Sequence, residues 1–119
     1  HTKTADAVNL SDDEAEEIAI SFARAKMDPS LWLKATSFSV SMVRFKPSAF
    51  PSSDLSTNVV AAAKLLSSAF EEPGTAVEII GGFGLLNATE AEQVTNSAAQ
   101  GNPDAARKML GSALQKFGQ

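Results

Sequence analysis

Apolar residues recur along most of this chain at steps of three and four positions, which is the period of an α-helix rather than of a strand. After residue 10 the pattern is interrupted only by short segments that contain proline, glycine or a capping residue. The first ten residues show no such period. We therefore expect an all-α protein: a compact bundle of five to six short amphipathic helices in one domain over residues 11–119, preceded by a flexible N-terminal tail over residues 1–10.

The first helix has a clear start signal. Ser11 lies three residues before Glu14, which is the spacing of a capping box, and acidic residues crowd positions 12–17, where they favour the positive end of the helix dipole. A single apolar stripe follows, formed by Ala15, Ile18, Ala19, Phe22 and Ala25. These signals predict a helix over residues 11–27.

The second helix is predicted from Asp28 and Pro29, an N-cap residue followed by proline at the first helical position. Helical steps of four and three then join Leu31, Ala35, Phe38, Met42 and Phe45. Over residues 36–45, however, apolar residues also alternate with serines, which is the period of a strand. We favour the helix because the cap and the longer stripe agree, and because a lone strand would have no partner here.

Capping signals divide the rest of the chain into four further helices. The third begins near residues 53–54 and ends at the polar segment 71–74. The last three begin, in order, at a capping box of Thr75 with Glu78, a capping box of Thr89 with Glu92, and the pair Asn102-Pro103. The stripes of all six helices predict a core that includes Ile18, Phe22, Leu31, Phe38, Leu55, Leu66, Ile79, Ile80 and Leu110, together with all the phenylalanines, at positions 22, 38, 45, 50, 70, 83 and 117.

Composition narrows the class of protein. The 119 residues carry a net charge of −4 and include no cysteine, and their ten basic residues form no stripe, so nucleic-acid binding is not expected. No apolar run is long enough for a membrane span, and no segment has the pattern of a signal peptide. The absence of cysteine indicates either an intracellular protein or a core that needs no disulfide. Glycosylation sequons at Asn9 and Asn87 leave secretion open.

Residues that could carry chemistry are few. His1 is the only imidazole, and without cysteine it cannot build the usual zinc sites. The acidic segment 12–17 lacks the glycine turn of a calcium loop, and Gly-Gly-Phe-Gly at 81–84 lacks the spacing of a phosphate loop. Those glycines are better explained by close helix packing or a helix end, and Trp32 by a place in the core or at its rim. We predict no catalytic, cofactor-binding or metal-binding residue, and no cofactor.

Three segments together resemble one known family. They are Ile-Ser-Phe-Ala-Arg-Ala at 20–25 with Asp-Pro-Ser-Leu at 28–31, Pro-Ser-Ser-Asp-Leu at 51–55, and Gly-Leu-Leu-Asn-Ala-Thr at 84–89. Along with 20 alanines and 14 serines, they resemble the folded helical repeat domains of spider silk proteins, the spidroins of tubuliform, aciniform and pyriform silk. The chain departs from that family in its many charged residues and in the helix after Asn102. The resemblance brings no catalytic or binding residue with it.

The resemblance implies a structural, non-enzymatic domain of a secreted silk-like protein that supports solubility and fibre assembly, with self-association or other silk chains as partners. The alternative is a small helical binding protein that carries a lipid or another apolar ligand, and an enzyme is the least favoured class. If the domain assembles, the acidic first helix and the outward-facing Arg107, Lys108 and Lys116 of the last helix would give it opposite poles that align neighbouring molecules.

Overall fold

A computed structural model describes residues 2–3 and 8–119 of the chain. Its six α-helices are α1 (Asp12–Arg24), α2 (Trp32–Phe45), α3 (Leu55–Glu71), α4 (Pro73–Gly81), α5 (Ala88–Ala99) and α6 (Pro103–Gln115). Short 3₁₀ turns, Pro29–Leu31 and Pro47–Ala49, lie before and after α2. The predicted all-α bundle of five to six short helices is confirmed.

The helices form two groups that share a long central helix. α1 and α2 both pack on α3, whereas α4, α5 and α6 pack on one another, and α3 contacts α4. The bundle measures 40 × 25 × 25 Å. The core therefore runs along the molecule, and α3 contributes to both of its ends.

The last residues of the segment before α1 pack against the helical domain. Thr2–Lys3 pairs in an antiparallel ladder with Asn9–Leu10, and Val8 and Leu10 are 3% and 1% exposed. The expected flexible tail over residues 1–10 is thus wrong for its last residues, while residues 1 and 4–7 lie outside the described part. Val8 and Leu10 are two positions apart, so an extended backbone turns both side chains to the core. A strand segment with only two inward-facing residues is too short for its alternation to be recognised in the sequence.

α1 begins as predicted and ends earlier than predicted. The Glu14 amide donates to Ser11 Oγ at 3.1 Å and the Ser11 amide donates to Glu14 Oε1 at 2.9 Å, so both halves of the capping box form. The helix stops at Arg24 instead of residue 27 because Lys26 adopts a left-handed backbone with φ 58°. The Met27 amide then donates to the Phe22 carbonyl at 3.0 Å, which closes the helix end.

The second helix, predicted from Asp28 and Pro29, opens as the 3₁₀ turn Pro29–Leu31 and becomes α-helical only at Trp32. Two further predicted helix starts are wrong. α4 begins at Pro73 because proline already has the backbone angle of a first helical residue, and the Thr75 hydroxyl donates to the Glu72 carbonyl at 2.8 Å rather than capping the helix. The capping box of α5 is formed by Asn87 with Glu90 and not by Thr89 with its partner three residues later. Asparagine is the better N-cap, and the glutamate that completes its box stands at the required spacing.

Residues 36–45 are helical, which decides between the two patterns in that segment. The serine at position 39 lies on the buried face of α2, where its hydroxyl donates to the Ala35 carbonyl at 2.8 Å. Ser67 of α3 is buried in the same way, with its hydroxyl 2.8 Å from the Ala63 carbonyl. A serine that satisfies its hydroxyl within its own helix can occupy a core position, so the alternation with serine did not indicate a strand.

The predicted core is largely correct. Apart from the phenylalanines, its members are buried except for Ile79, which is half-buried, and Leu55, which is 40% exposed. Among the phenylalanines, positions 22, 38, 50 and 70 are buried, 83 and 117 are half-buried, and Phe45 is 71% exposed, so its assignment to the core is wrong. Phe45 is the last residue of α2 and Leu55 the first of α3, so both exposed positions lie at the ends of their helices.

The glycines of the 81–84 segment mark a helix end, the second of the two explanations offered for them. α4 ends at Gly81, a Cβ added there would meet nothing within 4 Å, and Gly84 has a φ of +75°. Close packing occurs instead at Gly111 of α6, where an added Cβ would lie 3.0 Å from Leu31 Cδ1. Gly111 therefore lets α6 approach the turn before α2.

Candidate functional site

The acidic segment 12–17 serves the start of α1. The backbone amide of Ser11, followed by the Ser56 hydroxyl, holds the pKa of Glu14 below its usual value, and Glu17 forms an ion pair with Lys64 of α3. Over the described residues, no three histidine, cysteine, aspartate or glutamate side chains are grouped so as to hold a metal ion. The segment caps α1 and joins it to α3.

Two other carboxylates have the same role at later turns. The backbone amide of Asn87 lowers the pKa of Glu90 by donating to its carboxylate at 2.9 Å, and nearby Lys116 lowers it further. The backbone amide of Ser30 lowers the pKa of Asp28 in the same way, also at 2.9 Å. In each case the ionised form is the one that accepts the hydrogen bond.

Arg107 is not an outward-facing charge. Its Nε donates to the Phe70 carbonyl at 2.9 Å and its Nη2 to the Glu71 carbonyl at 3.2 Å, while Nη1 lies 2.7 Å from Asp104 Oδ1. Its side chain is only 15% exposed. Because those carbonyls end α3, Arg107 caps α3 from the neighbouring α6, and the expectation that it belongs to a basic pole is wrong.

The other two basic residues of α6 are at the surface. Lys108 is exposed, and Lys116 is exposed with its Nζ 3.6 Å from Glu90 Oε2. An exposed pair at that distance contributes little to stability. The exposed basic charge in this part of the surface therefore comes mainly from Lys108 of α6 and from Lys116, which directly follows that helix.

Trp32 lies at the rim of the core, as expected. It is half-buried, its Nε1 donates to the Met27 carbonyl at 3.0 Å, and its ring centroid is 6.4 Å from that of Phe22. The indole N–H is thus satisfied by the backbone, and the ring packs against the hydrophobic core.

The sequon asparagines are both exposed. Asn9 lies in the short ladder, and Asn87 Oδ1 accepts from the Glu90 amide at 2.8 Å. His1 lies outside the described residues. The sequon at position 87 therefore coincides with the cap of α5, which gives its asparagine a structural role independent of modification.

One largely apolar surface feature is a groove between the end of α2 and α4, with α3 beside it. It has a volume of about 320 Å³ and is open to solvent. We call it the Phe45 groove. Its exposed and half-buried large apolar members are Phe45 of α2, Leu65 of α3, Ile79 of α4 and Phe83 just after α4, and buried Met42 and Phe50 line its floor. Its charged members are Lys46 and Glu78.

A series of aromatic contacts joins this groove to the core. The Phe45 ring centroid lies 5.3 Å from that of Phe83, which lies 4.7 Å from that of buried Phe38. Phe38 is in turn 5.1 Å from Phe117 in an edge-to-face arrangement. These separations are typical of favourable aromatic pairs, so the exposed Phe45 ring is supported from beneath.

Three other exposed apolar residues were detectable from the sequence. Ile20, Leu33 and Leu65 are 44%, 66% and 52% exposed, and each stands off the apolar stripe of its own helix. A large apolar residue outside the stripe was the available signal. Phe45 gave no such signal, because it continues the stripe of α2.

Comparison of the chain with known proteins identifies no relative: no family model, curated protein or solved structure matches it. Across residues 2–3 and 8–119, no helix has the length and apolar character needed to cross a membrane.

Proposed function

We propose that this chain is a structural, non-enzymatic helical domain of a secreted silk-like protein, and that it supports solubility and fibre assembly. The observation that carries the proposal is the exposure of large apolar side chains, Phe45 above all, on an acidic domain. A net charge of −4 keeps separate molecules apart in solution. The exposed apolar groups are then available for contacts between chains when conditions favour association.

The resemblance to spidroin repeat domains supports the same proposal. The 84–89 segment that contributes to it forms the connection between α4 and α5, with Gly84 in a left-handed conformation and Asn87 as the N-cap. The 28–31 segment forms the break between α1 and α2. Two of the segments that carry the resemblance thus form connections between helices, whereas the 20–25 segment lies mostly within α1.

Charge has a secondary part in the proposed assembly. Arg107 is occupied within the domain, and Glu17 is paired with Lys64, so neither supplies a free charge to a neighbouring molecule. Lys108 and Lys116 remain at the surface of α6. Contacts between exposed charges are screened by salt, with a Debye length of about 8 Å at physiological ionic strength.

The test is assembly of the concentrated protein under shear or mild destabilisation. We expect fibres or films, and we expect the double variant Lys108→Glu/Lys116→Glu to assemble less well than Lys108→Arg/Lys116→Arg, which keeps both charges. Neither variant touches the Arg107 cap. A protein that stays monomeric throughout and turns over a substrate would refute the proposal. The coding sequence on either side of residues 1–119 is also expected to encode Gly-, Ala-, Ser- or Gln-rich repeats.

The second candidate function is carriage of a lipid or another small apolar ligand. The Phe45 groove favours it, because a concave site of about 320 Å³ with aromatic walls is at the small end of ligand pockets. Native mass spectrometry of the protein from its natural source distinguishes the two functions. A stoichiometric apolar ligand that survives purification supports carriage.

A further inference from the structure

The Phe45 groove concentrates exposed apolar surface that the fold itself does not use. Phe45 is 71% exposed and Leu65 is 52% exposed, and they share the groove with half-buried Ile79 and Phe83. Single exposed apolar residues are ordinary on protein surfaces, but a contiguous group supplied by neighbouring helices marks an interaction site.

Phe45 is already held in position for such an interaction. Its ring packs on Phe83, with centroids 5.3 Å apart and the ring planes tilted by 52°, and Phe83 packs on buried Phe38. An aromatic residue that is ordered before binding loses little conformational entropy when a partner covers it. Supported aromatic side chains are also the residues that most often dominate interface energies.

The charges of the groove indicate which partner would cover it. Lys46 follows α2 on one wall and Glu78 belongs to α4 on the other. Within residues 8–119, neither side chain has an ion-pair or hydrogen-bond partner. A groove with charges of one sign would select a partner of the opposite sign, whereas this one presents both members of an ion pair on opposite walls. It is therefore complementary in charge to a second copy of itself.

We infer that the Phe45 groove is a self-association surface, through which two copies of the chain form a symmetric dimer. A two-fold axis along the groove brings the α2 wall of each copy against the α4 wall of the other, so that Lys46 meets Glu78 of the second copy twice. The apolar side chains of the two grooves then cover one another. This inference rests on the proposed function, because it names the surface by which self-association occurs.

The dimer is expected to be weak. Only two large apolar side chains of the groove, Phe45 and Leu65, are mostly exposed, and both ion pairs lie at an exposed surface where each contributes little. A dissociation constant roughly in the millimolar range follows, so the dimer forms only in concentrated protein. Added salt is expected to weaken it without abolishing it, because salt screens the ion pairs and leaves the apolar contact in place.

The experiment is sedimentation velocity on the wild-type chain from tens of micromolar to the millimolar range, repeated with Phe45→Ser. The matched control is Leu33→Ser, which removes a comparably exposed large apolar residue of the same helix, 66% against 71%, outside the groove. We expect the wild type and Leu33→Ser to dimerise alike, and Phe45→Ser to remain monomeric. Thermal melts of both variants check that each is folded.

Charge variants test the two-fold arrangement directly. Lys46→Glu alone places like charges across the interface, and so does Glu78→Lys alone, so each variant is expected to dimerise less than the wild type. An equimolar mixture of the two restores opposite charges at both contacts, so a mixed dimer is expected to form. A mixture that associates no better than either variant alone overturns the symmetric arrangement.

The outcomes separate this inference from the proposed function. If Phe45→Ser associates as the wild type does, the groove is not the self-association surface, but the proposed assembly function stands. The same conclusion follows if the wild type is monomeric in solution and still forms fibres under shear. A chain that neither dimerises nor assembles overturns both. A third outcome is that no dimer forms, that 1-anilinonaphthalene-8-sulfonate binds the wild type stoichiometrically, and that this binding is lost in Phe45→Ser. The groove is then a ligand site and not a self-association surface.

Discussion

Replacing Arg107 by alanine removes the only side chain described at the C-terminal end of α3 that binds its last carbonyls. Two hydrogen bonds to the Phe70 and Glu71 carbonyls are lost, along with the ion pair to Asp104. The Phe70 residue is 1% exposed, so water cannot readily replace the guanidinium at its carbonyl. α3 is the helix shared by both halves of the bundle, so loss of this cap affects the whole domain.

The magnitude follows from these three contacts. A charged hydrogen bond to a buried carbonyl is worth about 1.5–3 kcal/mol, and the bond to exposed Glu71 is worth less. The pair with Asp104, whose side chain is 80% exposed, adds only ~0–1 kcal/mol. We therefore expect Arg107→Ala to lower the free energy of unfolding by about 2–3 kcal/mol. At roughly 4 °C per kcal/mol, the melting temperature would fall by about 8–12 °C.

The assay is thermal and urea unfolding of Arg107→Ala, Arg107→Lys and Lys108→Ala. Lysine keeps the charge but cannot reach two carbonyls with a planar fork, so Arg107→Lys should lie between the wild type and alanine. Lys108 is the exposed neighbour on the same helix, and its replacement should change stability by less than ~0.5 kcal/mol. If Arg107→Ala melts within a degree or two of Lys108→Ala, the capping role is refuted.

Three further predictions concern pH, the core and the glycines. The pKa of Glu14 is lowered in the folded state, so the carboxylate stabilises the fold fully above its ordinary pKa of 4.5, and this stabilisation is lost as pH falls through the folded value. In acid titrations followed by circular dichroism, Glu14→Gln should make the free energy of unfolding less dependent on pH below 4.5. An unchanged slope would contradict this. Phe22→Ala should cost about 3–5 kcal/mol and half-buried Ile79→Ala only about 1 kcal/mol, as measured by urea unfolding; equal losses would show that the burial of the two residues has been misjudged. Gly81→Ala should raise the melting temperature, because Ala is favoured over Gly in a helix by up to ~1 kcal/mol and nothing lies near the added methyl group. Gly111→Leu should destabilise the folded protein by roughly 1–3 kcal/mol, because the larger side chain would overpack the contact with Leu31. Changes of the same sign at the two glycines would contradict the assignment of one to a helix end and the other to close packing.

The positions of the helices were predictable because local signals agree along most of the chain. Ser11 and Glu14 fixed the start of α1, and Asn102 with the following proline fixed that of α6. The starts of α4 and α5 were misplaced because a weaker threonine signal lay two residues beyond the true one in each case. The sequence contains both signals, and only their relative strength, which depends on the surrounding contacts, decides between them.

The candidate site was less predictable than the fold. Phe45 continues the apolar stripe of α2 but occupies the last position of the helix, and the stripe does not encode whether another element covers that position. The role of Arg107 depends on a contact between residues 36 and 37 positions apart, and its sequence environment is that of an ordinary surface arginine. Both properties arise from tertiary packing, so periodicity within a single helix could not reveal them.

The order in which the helices pack has a kinetic consequence. α2 lies on α3, α3 on α4, α4 on α5 and α5 on α6, so most neighbours in space are also neighbours along the chain. Each such pairing closes a short loop, and helical proteins of this kind fold in roughly microseconds to milliseconds. Fast reclosing shortens the time during which the apolar stripes of an opened molecule are exposed to those of another. Crowded solutions of the chain should accordingly resist misfolded aggregation, leaving native surfaces as the route by which copies meet.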